Sequence, residues 1–224
     1  MNVKIKICGI RDEEALKAAI DAGADFIGLV FFPRSPRHVD MDTAARLAAR
    51  ARGRVSVVAL TVDADDALLR EIARRVSPDH LQLHGSETPE RAYEISKIVE
   101  SPIIKAFRIR DARDLQAAAA WRERMAFPLF DAWVDPERAE GLPGGTGHVF
   151  DWSLLEGWEG DFMLAGGLTP ENVAEAVRLT GAPMVDVSSG VEKARGVKDP
   201  DRIRAFVDAA RAVAGGPSGT KKGP

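Results

Sequence analysis

Eight short apolar runs alternate with seven longer amphipathic stretches along a 224-residue chain, and glycine-rich turns gather in its last third. The alternation predicts the α/β class. Each crossover is long enough for a helix and too long for a hairpin, so the strands pair in parallel. An open doubly wound sheet and a closed ring both satisfy this. Strand count and a length within the ~200–250 residues such rings use as one domain favour a single-domain (β/α)8 TIM barrel. No Pro/Gly/Ser-rich linker divides residues 1–213. Residues 214–224 lack apolar side chains able to dock and read as a disordered tail.

The first strand is expected at 4–8, where Lys and Ile alternate before Cys8, with a helix over 13–22. An apolar run marks the second at 25–30, followed by a helix over 43–51. A Val-rich third strand at 54–61 leads to a helix over 64–75, and the fourth, 79–84, leads to one over 89–98. Strand five at 103–107 precedes a helix over 112–122, and strand six lies at 128–132. Strand seven at 161–165 is followed by a helix over 170–179, and strand eight at 183–187 by one over 200–213. Three helices open on a cap residue, Pro and an acid: Thr88-Pro89-Glu90, Thr169-Pro170-Glu171 and Asp199-Pro200-Asp201. The cap oxygen takes an orphan N–H, Pro has none to orphan, and the acid complements the helix dipole.

Side-chain parity sorts the strand faces. Ile5 and Ile7 oppose Lys4, Lys6 and Cys8; Leu81 and Leu83 oppose His80, Gln82 and His84; Val185 and Val187 oppose Met184, Asp186 and Ser188. With the apolar faces under the helices, the second faces line a partly polar barrel interior in which Lys6 pairs with Asp186, since an unpaired buried Lys is costly. Strands solvated on one side are the alternative.

Net charge is 31 − 34 = −3, with 45% hydrophobic and 29% charged residues. This is ordinary globular composition and argues against a nucleic-acid partner gripped by bulk charge. The single Cys excludes an internal disulfide and a cysteine metal cluster. The N-terminus lacks a secretory apolar core, and the apolar run at 26–32 is far short of the ~20 residues a bilayer span requires, so a cytoplasmic protein with no membrane partner is expected.

Candidate chemistry gathers at the strand ends. Cys8, before Gly9, is either a small buried hydrophobe or a thiol whose thiolate the nearby Lys6 favours. Asp131, among Leu129, Phe130 and Ala132, is either a general acid kept protonated by desolvation or a cap or partner for an internal Lys. The glycine segments at 143–147, 165–168 and 188–191 are tight turns or a phosphate cradle of backbone N–H groups. The loops after strands seven and eight are where barrels commonly take phosphate. In 31–37, two prolines stiffen a loop carrying Arg34 and Arg37, each a candidate for a carboxylate or for solvent. His80 and His84, about 13 Å apart at ~3.3 Å per strand residue, do not share a metal. Lys105 is a Schiff-base candidate or an interior salt-bridge partner.

Several segments resemble the phosphoribosylanthranilate isomerase family: Lys6-Ile7-Cys8-Gly9-Ile10, Gly28-Leu29-Val30-Phe31 with Ser35-Pro36-Arg37, and Leu81-Gln82-Leu83-His84-Gly85. So do Gly144-Gly145-Thr146-Gly147 with Phe150-Asp151-Trp152, Leu164-Ala165-Gly166-Gly167-Leu168, and Val185-Asp186-Val187-Ser188-Ser189-Gly190-Val191-Glu192. The match runs in order over nearly the whole chain. The resemblance implies a catalytic barrel performing an Amadori rearrangement in tryptophan biosynthesis, without metal or organic cofactor. It implies Asp131 as general acid, Cys8 as general base, and Arg37 and His84 as substrate-binding residues. Gly145, Gly166, Gly167, Ser188, Ser189 and Gly190 would hold phosphate, in a monomer or homodimer acting on a small phosphorylated substrate. Three rivals stand beside it. The histidine-pathway sugar isomerase family carries Asp where Cys8 stands, a lyase would use Lys105, and a non-catalytic barrel would merely bind a phosphorylated metabolite.

Overall fold

The computed structural model describes residues 2–133 and 150–213. Strands β1 (Lys4–Cys8), β2 (Phe26–Phe31), β3 (Ser56–Thr61), β4 (His80–Leu83), β5 (Ile103–Ile109), β6 (Phe127–Ala132), β7 (Met163–Leu164) and β8 (Met184–Val187) pair in parallel and close on one another as a barrel. Around it lie α1 (Glu13–Asp21), α2 (Met41–Ala51), α3 (Asp66–Arg75), α4 (Pro89–Val99), α5 (Ala112–Ala119), α6 (Val173–Thr180) and α7 (Pro200–Ala212). The described residues between β6 and β7 carry only a 3-10 turn, Trp152–Leu155. Beyond β8 come a 3-10 turn, Ser189–Val191, and a small antiparallel hairpin of β9 (Glu192–Ala194) and β10 (Val197–Lys198). Gly145 and residues 214–224 lie outside the described residues. Among those described, no helix is long and apolar enough to cross a membrane.

Element ends differ from the sequence expectation in many places, and side chains explain three of the shifts. Strands two and four start one residue late because Asp25 and Asp79 turn their carboxylates onto the neighbouring strands, accepting from the Ile5 and Val57 N–H groups at 2.7 Å. Thr88 and Asp199 cap α4 and α7 with Pro in the first turn, as expected. The third signature does not start its helix. Thr169 Oγ1 accepts from Glu171 N, and Asn172 both accepts from Thr169 N and donates to the Gly167 carbonyl. These bonds close a turn, and α6 begins only at Val173.

Parity holds around the ring. Ile5, Ile7, Leu81, Leu83, Val185 and Val187 are buried in one shell with Leu16, Leu47, Leu69, Ile95 and Phe206 of the helices. Burying each of the larger side chains is worth about 1.5–3 kcal/mol. Inside the barrel, Phe26, Val58, Ile104, Leu129, Met163 and Met184 form an apolar floor. One residue pair further along the strands, the interior turns polar with Lys6, Gln82 and Asp186. Cys8, Val30 and Leu60 follow towards the mouth.

His80 sits at the floor between the Phe26 and Phe127 rings, its Nδ1 buried without a partner among the described residues. Burial lowers its proton affinity below the ordinary 6.5, and Asp79 only partly opposes this. The unfolded chain therefore takes up the proton first, and stability present above pH 6.5 is lost as pH falls through the folded value. Denaturant midpoints at pH 7 and pH 5 should differ less for His80→Phe than for the unchanged chain; an equal loss would remove His80 as a cause.

Candidate active site

The mouth is built from the C-terminal ends of the strands, and its base is Lys6. That side chain is fully buried, donating to Asp186 Oδ1 at 3.1 Å and to Gln82 Oε1 at 2.9 Å. Burial opposes its charge, but the shift is upward, with the Asp186 carboxylate the leading cause against burial, so Lys6 is an ammonium. The expected Lys6–Asp186 pair is present, and the amide of Gln82 completes its hydrogen bonding.

Cys8 follows Lys6 on the same face and is 4% exposed. Burial pushes its thiol up, against the opposing pull of the Lys6 and Lys198 ammoniums, so the resting group is a thiol. Room for the sulfur comes from β2, where Gly28 pairs with Cys8. A Cβ on Gly28 would stand 2.8 Å from Sγ. An isolated glycine within a strand marks such a close approach.

Asp131 ends β6, also facing inward and 6% exposed. Its Oδ1 accepts from the Ala132 N–H at 2.9 Å, and its Oδ2 lies 3.4 Å from His84 Nε2. That distance suits an ion pair, but no hydrogen bond forms, and Nε2 is left without a partner among the described residues. On the other side of the ring, His84 Nδ1 meets Gln82 Nε2 at 2.9 Å. A hydrogen-bonded polar file thus runs from Asp186 through Lys6 and Gln82 to His84, whose Nε2 stands 3.4 Å from Asp131.

The two arginines of the 31–37 loop part company: Arg34 is exposed, whereas Arg37 is 6% exposed. Glu192 grips Arg37 with two bonds, Nε to Oε1 at 2.7 Å and Nη2 to Oε2 at 3.0 Å. Lys198 donates to the same carboxylate at 3.0 Å and to the Ser188 carbonyl at 2.9 Å. Burial opposes the Glu192 charge, yet Arg37 and Lys198 together hold its pKa below the usual carboxylate value. Two cations share one carboxylate, which leaves this wall of the mouth positive. Glu192 closes one of the segments that carry the resemblance but is given no role there, and nothing local in the sequence announces Lys198.

The loops after β7 and β8 meet beside this wall. Gly166 has φ +86°, and a Cβ there would lie 2.4 Å from Ala132 N and 3.0 Å from Asp131 Oδ1. A Cβ on Gly190 would sit 1.9 Å from the Leu168 carbonyl. Both loops therefore require glycine. Among the described residues, the N–H groups of Gly166, Gly167, Ser189 and Gly190 take no hydrogen-bond partner. The Ser188 hydroxyl is turned inward, donating to the Cys8 carbonyl at 3.2 Å and receiving from Lys198 at 3.4 Å.

Of the two roles expected of Lys105, the structure shows the salt bridge. The side chain points outward from β5, under Trp121, and donates to Glu87 at 2.7 Å and the Gly85 carbonyl at 2.8 Å. Its parity matches Ile103 and Ile109, whereas Ile104 and Ala106 face the axis. It forms a buried ion pair with Glu87. Among the described residues no cluster of three or more His, Cys, Asp or Glu could hold a metal ion.

A thiol and a carboxyl group stand on opposite arcs of one mouth, and the candidate lysine for covalent chemistry faces away from the axis, paired with Glu87. The class this arrangement fits is a (β/α)8-barrel isomerase with a candidate acid–base pair at its mouth. Residues 5–209 match the family described as N-(5'phosphoribosyl)anthranilate (PRA) isomerase, and the chain belongs to this family of tryptophan biosynthesis. It is 54% identical over 213 residues to the N-(5'-phosphoribosyl)anthranilate isomerase of Paramagnetospirillum magneticum, covering 94% of this chain and 98% of that one. The crystal structure of phosphoribosyl anthranilate isomerase from Thermotoga maritima superposes with a TM-score of 0.84 at 33% identity, covering 94% and 99% of the two chains. A phosphoribosyl anthranilate isomerase solved in complex with reduced 1-(o-carboxyphenylamino)-1-deoxyribulose 5-phosphate superposes at 0.81 with 32% identity, again covering 94% and 99%.

Proposed function

We propose that the chain rearranges N-(5'-phosphoribosyl)anthranilate to 1-(2-carboxyphenylamino)-1-deoxyribulose 5-phosphate with Asp131 as general acid, Cys8 as general base and no cofactor. The carrying observation is their shared orientation: both face the barrel axis at its C-terminal mouth, joined beneath by the file Lys6–Gln82–His84. Asp131 protonates the furanose ring oxygen, the C1′–O bond breaks, and the nitrogen lone pair closes a C1′=N iminium. Cys8, once its thiol has released its proton to solvent, removes the C2′ proton as the thiolate, and the electrons pass to nitrogen to give an enolamine. Proton transfer from the C2′ hydroxyl to C1′ then yields the ketone. Arg37, aimed by Glu192, holds the anthranilate carboxylate. His84 stands beside Asp131 as a substrate-binding residue. The N–H groups of Gly166, Gly167, Ser189 and Gly190 receive the phosphate, with Gly145 and Ser188 completing that loop set. The partner in this reading is a small phosphorylated metabolite met in the cytoplasm by a monomer or homodimer.

Turnover of N-(5'-phosphoribosyl)anthranilate by the purified chain tests the reaction, and inorganic phosphate tests the cradle. Phosphate should raise the apparent KM and leave kcat unchanged, because it competes for the same N–H groups. Inhibition acting on kcat alone, or none at all, would remove the cradle from this position.

A further inference from the structure

The polar file under the mouth has a direction that hydrogen-bond chemistry fixes. An ammonium only donates, so the Gln82 atom facing Lys6 Nζ at 2.9 Å must be the amide oxygen. The other end of the amide is then NH2, which donates to His84 Nδ1 at 2.9 Å. Nδ1 must accept, since a proton there would oppose the amide hydrogens. The imidazole proton is therefore on Nε2, the buried nitrogen 3.4 Å from Asp131 Oδ2. Lys6 is itself held by Asp186, and burial of the whole file excludes the water that could let either group turn.

We propose that Gln82 is a positioning residue for the isomerisation: it transmits the donor character of Lys6 to His84 and holds the Nε2–H tautomer towards Asp131. Resting on the reading of Asp131 as general acid, the consequence is specific. Once Asp131 gives its proton to the ring oxygen, its carboxylate has the His84 Nε2–H 3.4 Å from Oδ2 and Ala132 N on Oδ1. A small turn of the imidazole then sets a donor on the new charge.

The test separates the tautomer from the chemistry. In the unaltered protein labelled with 15N-histidine, two-bond couplings from the ring protons should identify His84 as protonated on Nε2 and bare on Nδ1; the His84→Asn variant assigns the signals. Gln82→Glu keeps the acceptor for Lys6 but replaces the amide donor by an acceptor, so His84 should gain a proton on Nδ1. Its kcat should fall on the order of 10–100-fold, the range seen when groups that orient a catalytic imidazole or ligand are lost, with KM changed by less than roughly threefold. Gln82→Met, which neither donates nor accepts strongly, gives a second variant should the carboxylate disturb folding, with the same kcat loss expected. Protonation on Nδ1 in the unaltered protein overturns the proposal, as does full kcat in a folded Gln82 variant. If Asp131→Asn retained activity while the tautomer stood as described, the acid assignment would fail and the tautomer assignment would not.

Discussion

Asp131→Asn lowers kcat by about 10³-fold, a barrier increase of about 4 kcal/mol, while leaving the fold intact. The amide has the shape of the carboxyl group and keeps an oxygen for the Ala132 N–H, so the end of β6 is retained. It cannot give up a proton to the ring oxygen, so the furanose stays closed. It also turns an NH2 towards the Nε2–H of His84, in place of the oxygen that faces it at 3.4 Å. Steady-state kinetics read the first effect, and a thermal melt within a few degrees of the unaltered protein separates it from unfolding. Activity within tenfold of the original would assign the proton to another group.

Cys8→Ser lowers kcat by a comparable factor, about 10³-fold, with KM nearly unchanged. A hydroxyl is a far weaker acid than a thiol, so at neutral pH it supplies almost no conjugate base for the C2′ proton. The smaller oxygen fits the space left by Gly28, which makes packing a poor explanation for the loss. The resting state of the thiol is checked independently. Burial raises it from the ordinary 9.0, so alkylation by iodoacetamide should be slow and should accelerate about tenfold per pH unit from pH 7 to beyond pH 9. Cys8 is the only cysteine in the chain, so every adduct reports on this site. A rate already level at pH 7 would mean that Lys6 and Lys198 overcome burial and keep a preformed thiolate.

Much of the site could be read from residues close together in the chain. The alternation in 4–8 separated Ile5 and Ile7 from Lys6 and Cys8, and the barrel keeps that division. The same rule turned Gln82 and His84 inward on β4 and Asp186 inward on β8, so the Lys6–Asp186 pair was foreseeable before any coordinates. Thr88 and Asp199 cap helices because their motifs are complete within one turn. Thr169 carries the same motif and fails, because Asn172 bonds back to Thr169 and Gly167 and closes a turn first. The salt bridge of Lys105 was foreseeable, but not the face it lies on, because a strand residue gives its parity but not the sign of that parity. Ile103 and Ile109 share its face, and neighbouring Ile104 and Ala106 proved to be the axial ones.

The alternation of apolar and polar positions by itself determined the class of fold, the strand faces and the presence of an inward thiol and carboxyl, because period and parity are properties of a few consecutive residues. Closure of the ring decided which of those residues meet. Lys6 reaches Gln82 and Asp186 across 76 and 180 positions of chain, and Arg37 reaches Glu192 across 155. No local pattern encodes such distances. They follow from β8 returning to pair with β1, which brings the ends of the chain into one wall and lets buried charges find the partners that make their burial tolerable.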